Sequence, residues 1–188
     1  MAERRELWRG EQRDWDASRL AFVDETGLNT KMAPLYGWAP RSRRCVAKVP
    51  HGHWKSSTFV GALTLEGMKA PWLLDGAMDG SGFLTYLRTQ LVPSLKPGDT
   101  VICDNLSSHK VAGAREILES AGMRLVYLPP YSPDLNPIEL AFSKLKTLMK
   151  KASARTFEAL IEALGEVLRS ITEQDCKGFF KHANYATC

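Results

Sequence analysis

The sequence lacks the segments that would send a protein to or through a membrane. No apolar run is long enough to cross a bilayer, and the amino terminus, MAERRELWRG, has no apolar stretch of the kind a signal peptide needs. No two cysteines form a C-x-x-C pair, and their spacing gives no disulfide framework. The four are Cys45, Cys103, Cys176 and Cys188. These absences predict a protein of the reducing cytoplasm.

The sequence also lacks an internal repeat, a low-complexity linker and a strong charge of either sign. It has 188 residues, of which 44% are hydrophobic, and a net charge of +4. This length and composition predict one folded domain with a substantial core. The mild basic excess is compatible with nucleic-acid binding but does not demonstrate it, because many enzymes are as basic.

In the first half of the chain, short apolar runs predict strands at hairpin spacing, which indicates an antiparallel meander. The first run, Arg19 to Val23, ends at Asp24. We interpret 27–44 as a hairpin with a basic loop, and 1–18 as a helix or loose arm. The remaining predicted strands are 46–49, 58–65 and 70–76.

In the second half, helices alternate with buried-type strands, and this order is typical of an α/β domain. Ser81 is the predicted cap of a helix that reaches Val92. Asn136 is the predicted cap of another, with Pro137 at its first position. The other predicted elements are a strand at 100–103, a helix at 111–121, a strand at 124–128 and a final helix at 156–171.

Three acidic residues stand where they are suited to metal-assisted chemistry. Asp24 and Asp104 each follow a predicted strand, and Glu139 lies in the first turn of a helix. Carboxyl ends of parallel neighbouring strands meet at one edge of a sheet, where ligand sites are common. Magnesium takes oxygen ligands and keeps several waters, so two or three converging carboxylates are sufficient.

Each acid also has a purely structural explanation. An aspartate at a strand end is often a turn former or a helix cap. Glu139 occupies the position of a capping-box partner for Asn136. The residues alone therefore leave both interpretations open. Three acids in these settings nevertheless favour a functional site more strongly than any one of them would alone.

Three motifs resemble the catalytic domains of mariner-like transposases, in particular their bacterial insertion-sequence branch. They are Phe22-Val23-Asp24-Glu25-Thr26, Val101-Ile102-Cys103-Asp104-Asn105 with His109, and the long run from Leu128 to Glu139, LPPYSPDLNPIE. Thirty-four residues separate Asp104 from Glu139, the interval typical of that branch. The tail GFFKHANY, from Gly178, also resembles its ending, so the resemblance extends from about residue 19 to the carboxyl end.

The resemblance implies a ribonuclease-H-like mixed sheet, with three antiparallel meander strands plus two parallel strands, flanked by helices. The first and fourth strands are then neighbours. The resemblance further implies that residues 19–188 form the catalytic domain, after an amino-terminal arm at 1–18. It implies that Asp24, Asp104 and Glu139 hold two Mg²⁺ or Mn²⁺ ions.

The implied reaction is phosphodiester hydrolysis at transposon ends, followed by strand transfer into target DNA, commonly at TA. The implied partners are transposon-end and target DNA and, in the active complex, further copies of the chain. The implied setting is the nucleoid of a bacterial cell.

Four residues near the acids are candidates for supporting roles. Asn105 is expected to bond a phosphate or orient Asp104, and His109 to contact the scissile strand. Their alternatives are a turn residue and a surface group. Asp134 is expected to be an outer-shell group or a turn residue, and Tyr131 to stiffen the loop before Glu139.

Basic and aromatic residues are candidates for DNA contacts. Such bases would supply phosphate contacts without sequence recognition, and Trp38 would stack on an unpaired base. Their alternatives are a solvated face and, for the tryptophan, a core or interface position. The basic candidates are Lys31, Arg41, Arg43, Arg44, Lys144 and Lys146.

Only about 18 residues precede the first predicted strand, too few for a helix-turn-helix module that recognises transposon ends. We therefore expect end binding to come from a separate polypeptide or from a region outside this sequence. Two competing functions stay open. One is an inactive or truncated fragment that binds DNA nonspecifically or inhibits full-length transposase; the other is a nuclease that cuts RNA in hybrids.

Overall fold

A five-stranded mixed sheet lies at the centre of the computed structural model, which describes residues 2–46, 50 and 55–185. The strand order is β3-β2-β1-β4-β5. The first three strands pair antiparallel, and β4 and β5 run parallel to β1. The predicted meander plus two parallel strands is confirmed. The strands are β1 Leu20–Asn29, β2 Ser56–Thr64, β3 Gly67–Asp75, β4 Thr100–Cys103 and β5 Arg124–Tyr127.

Strand β1 is longer than the sequence indicates, because the antiparallel and parallel pairings end at different places. Its pairing with β4 stops at Val23, which lies opposite Cys103. Its pairing with β2 continues from Asp24 to Asn29. The polar residues after Val23 hide this continuation from a pattern based on hydrophobicity. Asp24 therefore lies within a strand, one residue beyond the parallel ladder.

The predicted hairpin at 27–44 is wrong. Residues up to Asn29 belong to β1, and the described residues 30–46 contain no strand. Residues 47–49 of the strand predicted at 46–49 lie outside the described residues.

Helices flank both faces of the sheet. Helix α2 continues through a π-helical turn, Leu87–Leu91, into α3. The N-cap of α2 is Asp79, whose carboxylate accepts from the Gly82 N–H at 2.7 Å. The predicted cap at Ser81 is therefore wrong by two residues. The helices are α1 Ala2–Glu11, α2 Gly80–Tyr86, α3 Val92–Ser94, α4 Ala114–Ser120, α5 Ile138–Ala152, α6 Phe157–Ser170 and α7 Glu173–His182.

Alternation along β1 divides the core into two layers. Phe22 packs in the layer covered by α5, α6 and α7, together with residues such as Phe142 and Phe180. Val23 packs in the opposite layer, covered by α2 and α4, with Phe83 and Leu118. The next two residues of the strand continue this alternation, so Asp24 faces the α5 side and Glu25 the α2 side.

The first eighteen residues contain helix α1, which packs onto the domain. Trp8 is buried in the larger core layer, and its indole Nε1 donates to the Tyr185 hydroxyl at 3.0 Å. Gln12 donates to the carbonyls of Ala183 and Asn184. The amino-terminal segment is thus joined to the carboxyl-terminal one. None of the described helices is long and apolar enough to span a bilayer.

Candidate active site

A cleft of about 420 Å³ opens where the parallel ladder of β1 and β4 ends. We call it the acidic cleft, because Asp24, Asp104 and Glu139 all line it, together with the loop from Leu128 to Pro133. Among the described residues, its lining includes no lysine or arginine. The acids meet here because Asp24 lies in β1 one residue beyond the parallel ladder, Asp104 directly follows β4 and Glu139 lies in the first turn of α5.

Asp24 is the most enclosed of the acids, since only 7% of it is exposed. Its Oδ1 accepts from the backbone N–H of Glu25 at 2.8 Å. Its Oδ2 accepts from the side-chain amide of Asn136 at 3.0 Å. Burial raises the pKa of Asp24 to about 7; the Glu25 N–H opposes this, and the charges of Asp104 and Glu139 reinforce it.

Asp104 is fixed from the opposite side. Its Oδ1 accepts from the Leu106 N–H at 3.0 Å and from His109 Nδ1 at 2.6 Å. His109 Nε2 lies 3.0 Å from Glu25 Oε2. Glu25, His109 and Asp104 therefore form a continuous chain across the sheet end, and Glu25 faces away from Asp24 as strand alternation predicts.

His109 is fully buried, with 0% exposure. Burial lowers its pKa, but the hydrogen bonds to Asp104 and Glu25 outweigh burial and raise the pKa to about 9. The charged ring then donates to both carboxylates. Both expectations for this residue, a contact with the scissile strand and a surface group, are wrong, because the ring is enclosed beneath the cleft.

Glu139 enters the cleft from the first turn of α5. The prediction that Asn136 caps this helix is wrong: the N-cap is Pro137, without a side-chain cap bond. The Asn136 amide turns inward to Asp24 instead, and only 4% of the residue is exposed. The backbone carbonyl of Asn136 still accepts from the Glu139 N–H at 3.2 Å.

The three acids share the cleft without closing on a single point. Within the described part of the chain, no three acidic, histidine or cysteine side chains are grouped tightly enough to hold one metal ion. The charges of Asp104 and Glu139 nevertheless act on Asp24. The arrangement is an acidic cleft with a buried carboxylate at its base.

The other supporting candidates separate into two groups. Asn105 and Tyr131 line the cleft, and Tyr131 is 87% exposed with a left-handed backbone at φ 54°. Asp134 is occupied elsewhere, since its carboxylate pairs with Arg5 at 2.7 Å and with Arg9 at 3.3 Å. Its role is thus a connection between the loop and α1.

The candidate DNA contacts are unequal. Trp38 is fully exposed, and Arg41, Arg43 and Arg44 are exposed beside it, whereas Lys31 is partly buried. Both α5 lysines are also partly buried, and Lys144 pairs with Asp175 at 2.6 Å. An ammonium held by a carboxylate is less available to a phosphate, so the described arginines are the stronger candidates.

Sequence reasoning missed the partners that orient the acids. The alternation of β1 indicates that Glu25 faces the other side of the sheet from Asp24. It does not indicate that Glu25 bonds a histidine there. Asn136 has the pattern of a helix cap, so its long-range bond has no local signal. The contact of Arg5 with Asp134 joins residues more than a hundred positions apart and leaves no trace in the sequence pattern.

The raised pKa of Asp24 predicts a pH-dependent stability difference between the metal-free wild type and Asp24→Asn. Since the folded-state pKa of about 7 exceeds the ordinary 3.8, protonated Asp24 favours folding, and this contribution is lost as pH rises from about 4 to 7. Asp24→Asn should be more stable than wild type by about 2–4 kcal/mol at pH 8, and the gap should shrink towards pH 5. Urea unfolding in EDTA at several pH values measures the difference in free energy of unfolding, with Asp14→Asn, at an exposed position, as the control. A difference that does not change with pH contradicts the prediction.

The buried position of His109 predicts a large stability loss in His109→Ala. The change leaves Asp104 and Glu25 without their shared donor, and removal of one member of a buried charged group costs about 3–5 kcal/mol. His182→Ala, at an exposed position of α7, should stay within about 0.5 kcal/mol of wild type. Urea unfolding at pH 7 compares the two, and equal losses would show that His109 has no special role.

Comparison with known proteins identifies both the family and the fold. The family model for DDE superfamily endonucleases matches residues 19–161. No curated protein matches the sequence significantly. Among solved structures, the Mos1 strand transfer complex is similar at 18% identity and a TM-score of 0.74, with 97% of this chain and 57% of the Mos1 chain covered.

Two further Mos1 structures agree. The Mos1 mariner paired end complex with Mn gives 16% identity and a TM-score of 0.73, with 97% of this chain and 58% of the other covered. The Mos1 catalytic domain is similar at 16% identity and a TM-score of 0.66, with 97% of this chain and 86% of the Mos1 chain covered. The chain therefore spans little more than half of the Mos1 chains in the complexes, and its fold is the ribonuclease-H-like fold predicted from the sequence. On the family match, which covers most of its length, the chain belongs to the DDE superfamily endonucleases.

Proposed function

We propose that this chain is the catalytic domain of a DNA transposase that cuts phosphodiester bonds at transposon ends and transfers the freed strand into target DNA. The observation that carries the proposal is the acidic cleft: Asp24, Asp104 and Glu139 line one opening at the end of the parallel ladder. The match to the DDE superfamily endonucleases over 19–161 includes all three acids.

We propose that these residues hold two divalent cations, and their chemistry suits such ions. Burial and, to a smaller extent, the charges of Asp104 and Glu139 raise the pKa of Asp24, so a cation there would offset an unfavourable concentration of negative charge. Mg²⁺ and Mn²⁺ accept carboxylate oxygens and retain waters, so the acids need not enclose an ion fully. When bound, such ions activate the attacking oxygen and stabilise the leaving oxygen. Mn is present in one similar Mos1 complex and Mg in another, by their own descriptions.

The chain's own residues orient the acids. The Glu25 N–H and the Asn136 amide hold the two oxygens of Asp24 in separate directions. His109 and the Leu106 N–H hold one oxygen of Asp104, which directs the other away from them. Such support by neighbouring donors is what sets the direction and basicity of a metal ligand.

The proposed substrates are transposon-end and target DNA, with TA as the target dinucleotide. Support comes from the similar Mos1 structures, which are described as strand transfer and paired end complexes. We further propose that several copies assemble on the DNA, as the paired end and strand transfer complexes of Mos1 suggest. The resemblance of the third motif and tail to the insertion-sequence branch supports a bacterial element, with the protein acting at the nucleoid.

Asp104→Asn tests the metal site directly. We expect wild type to bind Mn²⁺ and to nick supercoiled plasmid in Mn²⁺. The variant should lose tight Mn²⁺ binding and more than about 100-fold of the nicking rate, since loss of a mere supporting group already costs about 10–100-fold. Mn²⁺ binding is measured by calorimetry and nicking by gel electrophoresis, with Asp14→Asn as the matched control at an exposed position.

The outcomes separate the competing functions. Full nicking by Asp104→Asn would overturn the assignment. Wild-type protein that binds plasmid but neither binds Mn²⁺ nor nicks it would be the non-catalytic DNA-binding fragment. Cleavage of RNA in an RNA–DNA hybrid, without nicking of plasmid, would identify the hybrid nuclease.

The exposed arginines predict a change in the salt dependence of DNA binding. Replacing Arg41, Arg43 and Arg44 together by alanine should reduce the slope of log K against log salt by up to about 0.9 per lost phosphate contact. Fluorescence anisotropy on a labelled duplex at several salt concentrations measures the slope. A control triple variant, with alanine at exposed Arg4, Arg13 and Arg88, removes the same charge from outside this segment. If the two triple variants share one slope, net charge alone explains the binding.

A further inference from the structure

Helix α1 contacts the loop that leads into Glu139 through one arginine. The two guanidinium nitrogens of Arg5 donate to the two oxygens of Asp134, at 2.9 and 2.7 Å. Nη1 also lies 2.9 Å from Ser132 Oγ and 3.2 Å from the Tyr131 carbonyl. A single side chain of α1 thus binds three residues of one loop, and Arg–carboxylate pairs of this two-pronged kind are both strong and directional.

The same helix reaches the loop at a second point. Trp8 lies on the same face of α1 as Arg5, three residues later. Its Nε1 donates to the Tyr185 hydroxyl, which in turn donates to the Leu135 carbonyl at 2.9 Å. Arg5 therefore holds the start of the loop and Trp8, through Tyr185, holds its end. We call residues 131–136 the clasped loop.

The clasped loop carries the groups that complete the acidic cleft. Its last residue, Asn136, bonds Asp24, and Glu139 follows within one turn of α5. Its first residue, Tyr131, has a left-handed backbone at φ 54°, an uncommon conformation that costs free energy for a residue with a side chain. The Tyr131 carbonyl accepts a hydrogen bond from Arg5.

We infer that Arg5 is a positioning residue for the active site, holding the clasped loop so that Asn136 meets Asp24 and Glu139 faces the cleft. The inference rests on the proposed function for the role of Glu139, but not for the clasp itself. Helix α1 lies outside the residues 19–161 matched by the family model. The catalytic unit of this chain thus includes a helix that its family signature does not.

Hydrogen exchange tests the clasp without any reference to catalysis. We compare Arg5→Met, Arg5→Lys and the control Arg4→Met, which changes an exposed arginine of the same helix. Amide exchange in residues 131–136 should accelerate in Arg5→Met. It should accelerate less in Arg5→Lys, which keeps the positive charge but cannot make the two-pronged contact with the carboxylate. It should not change in Arg4→Met. Equal exchange in all three proteins overturns the inference.

Kinetics and a double-mutant cycle separate positioning from general stability. In Mn²⁺-dependent plasmid nicking, Arg5→Met should lower kcat by about 10- to 100-fold, the scale on which misplaced groups act, with KM for DNA unchanged. Asp134→Asn should also lower kcat, and the double variant should lose clearly less than the two single losses combined, because both changes break the Arg5–Asp134 contact. Additive losses, or a rise in KM alone, overturn the inference.

Failure of the inference and failure of the proposed function give different results. A wild type that never nicks DNA, with faster loop exchange in Arg5→Met, rejects the proposed function and retains the clasp. A wild type that nicks DNA, with unchanged loop exchange in Arg5→Met, retains the proposed function and rejects the clasp.

Discussion

The placement of a carboxylate inside the protein is the constraint on which this active-site region depends. Asp24 lies one residue beyond the parallel ladder, in a strand that still pairs on its other side. The chain therefore cannot turn away from the core at this point, and the side chain is fixed beneath the cleft. Burial of a charge without compensation is costly, so the surroundings of Asp24 must supply donors. They do so with a backbone N–H and the Asn136 amide.

The second acid is compensated by a different means. Asp104 is paired with the buried, charged His109, whose other nitrogen is paired with Glu25. One positive ring is shared by two carboxylates, so the hydrogen-bonded group of Glu25, His109 and Asp104 carries a net negative charge. The cleft is therefore not an ion-pair network in which every charge is matched. It keeps an excess of negative charge at one edge of the sheet, which is the property required to hold divalent cations.

Much of the fold was predictable because its signals are local. The meander, the two parallel strands and the amphipathic helices follow from periodicity over short windows. The positions of Asp104 after a strand and of Glu139 in the first turn of a helix follow from the same patterns, whereas Asp24 lies inside β1. Predictions were wrong where two structures share one local pattern. Asn136 before Pro137 looks like a helix cap, and only its distance from Asp24 in space decides otherwise. The polar residues after Val23 look like the end of a strand, yet β1 continues because β2 supplies a partner.

The contacts that orient the acids are partly local and partly long-range. Asp104 is held by near neighbours in the sequence, the Leu106 N–H and His109, and Asp24 accepts from the N–H of Glu25. The remaining support comes from distant segments, because the loop with Asn136 reaches Asp24 and the 3₁₀ turn Ser107–Lys110 brings His109 to Glu25. Those segments in turn need anchors, which are the Tyr127 hydroxyl on the His109 carbonyl at 2.7 Å and the Tyr185 hydroxyl on the Leu135 carbonyl. The surroundings of the cleft therefore include segments far from the motifs that contain the acids, since Arg5 of α1 and Tyr185 both contact the loop that precedes Glu139.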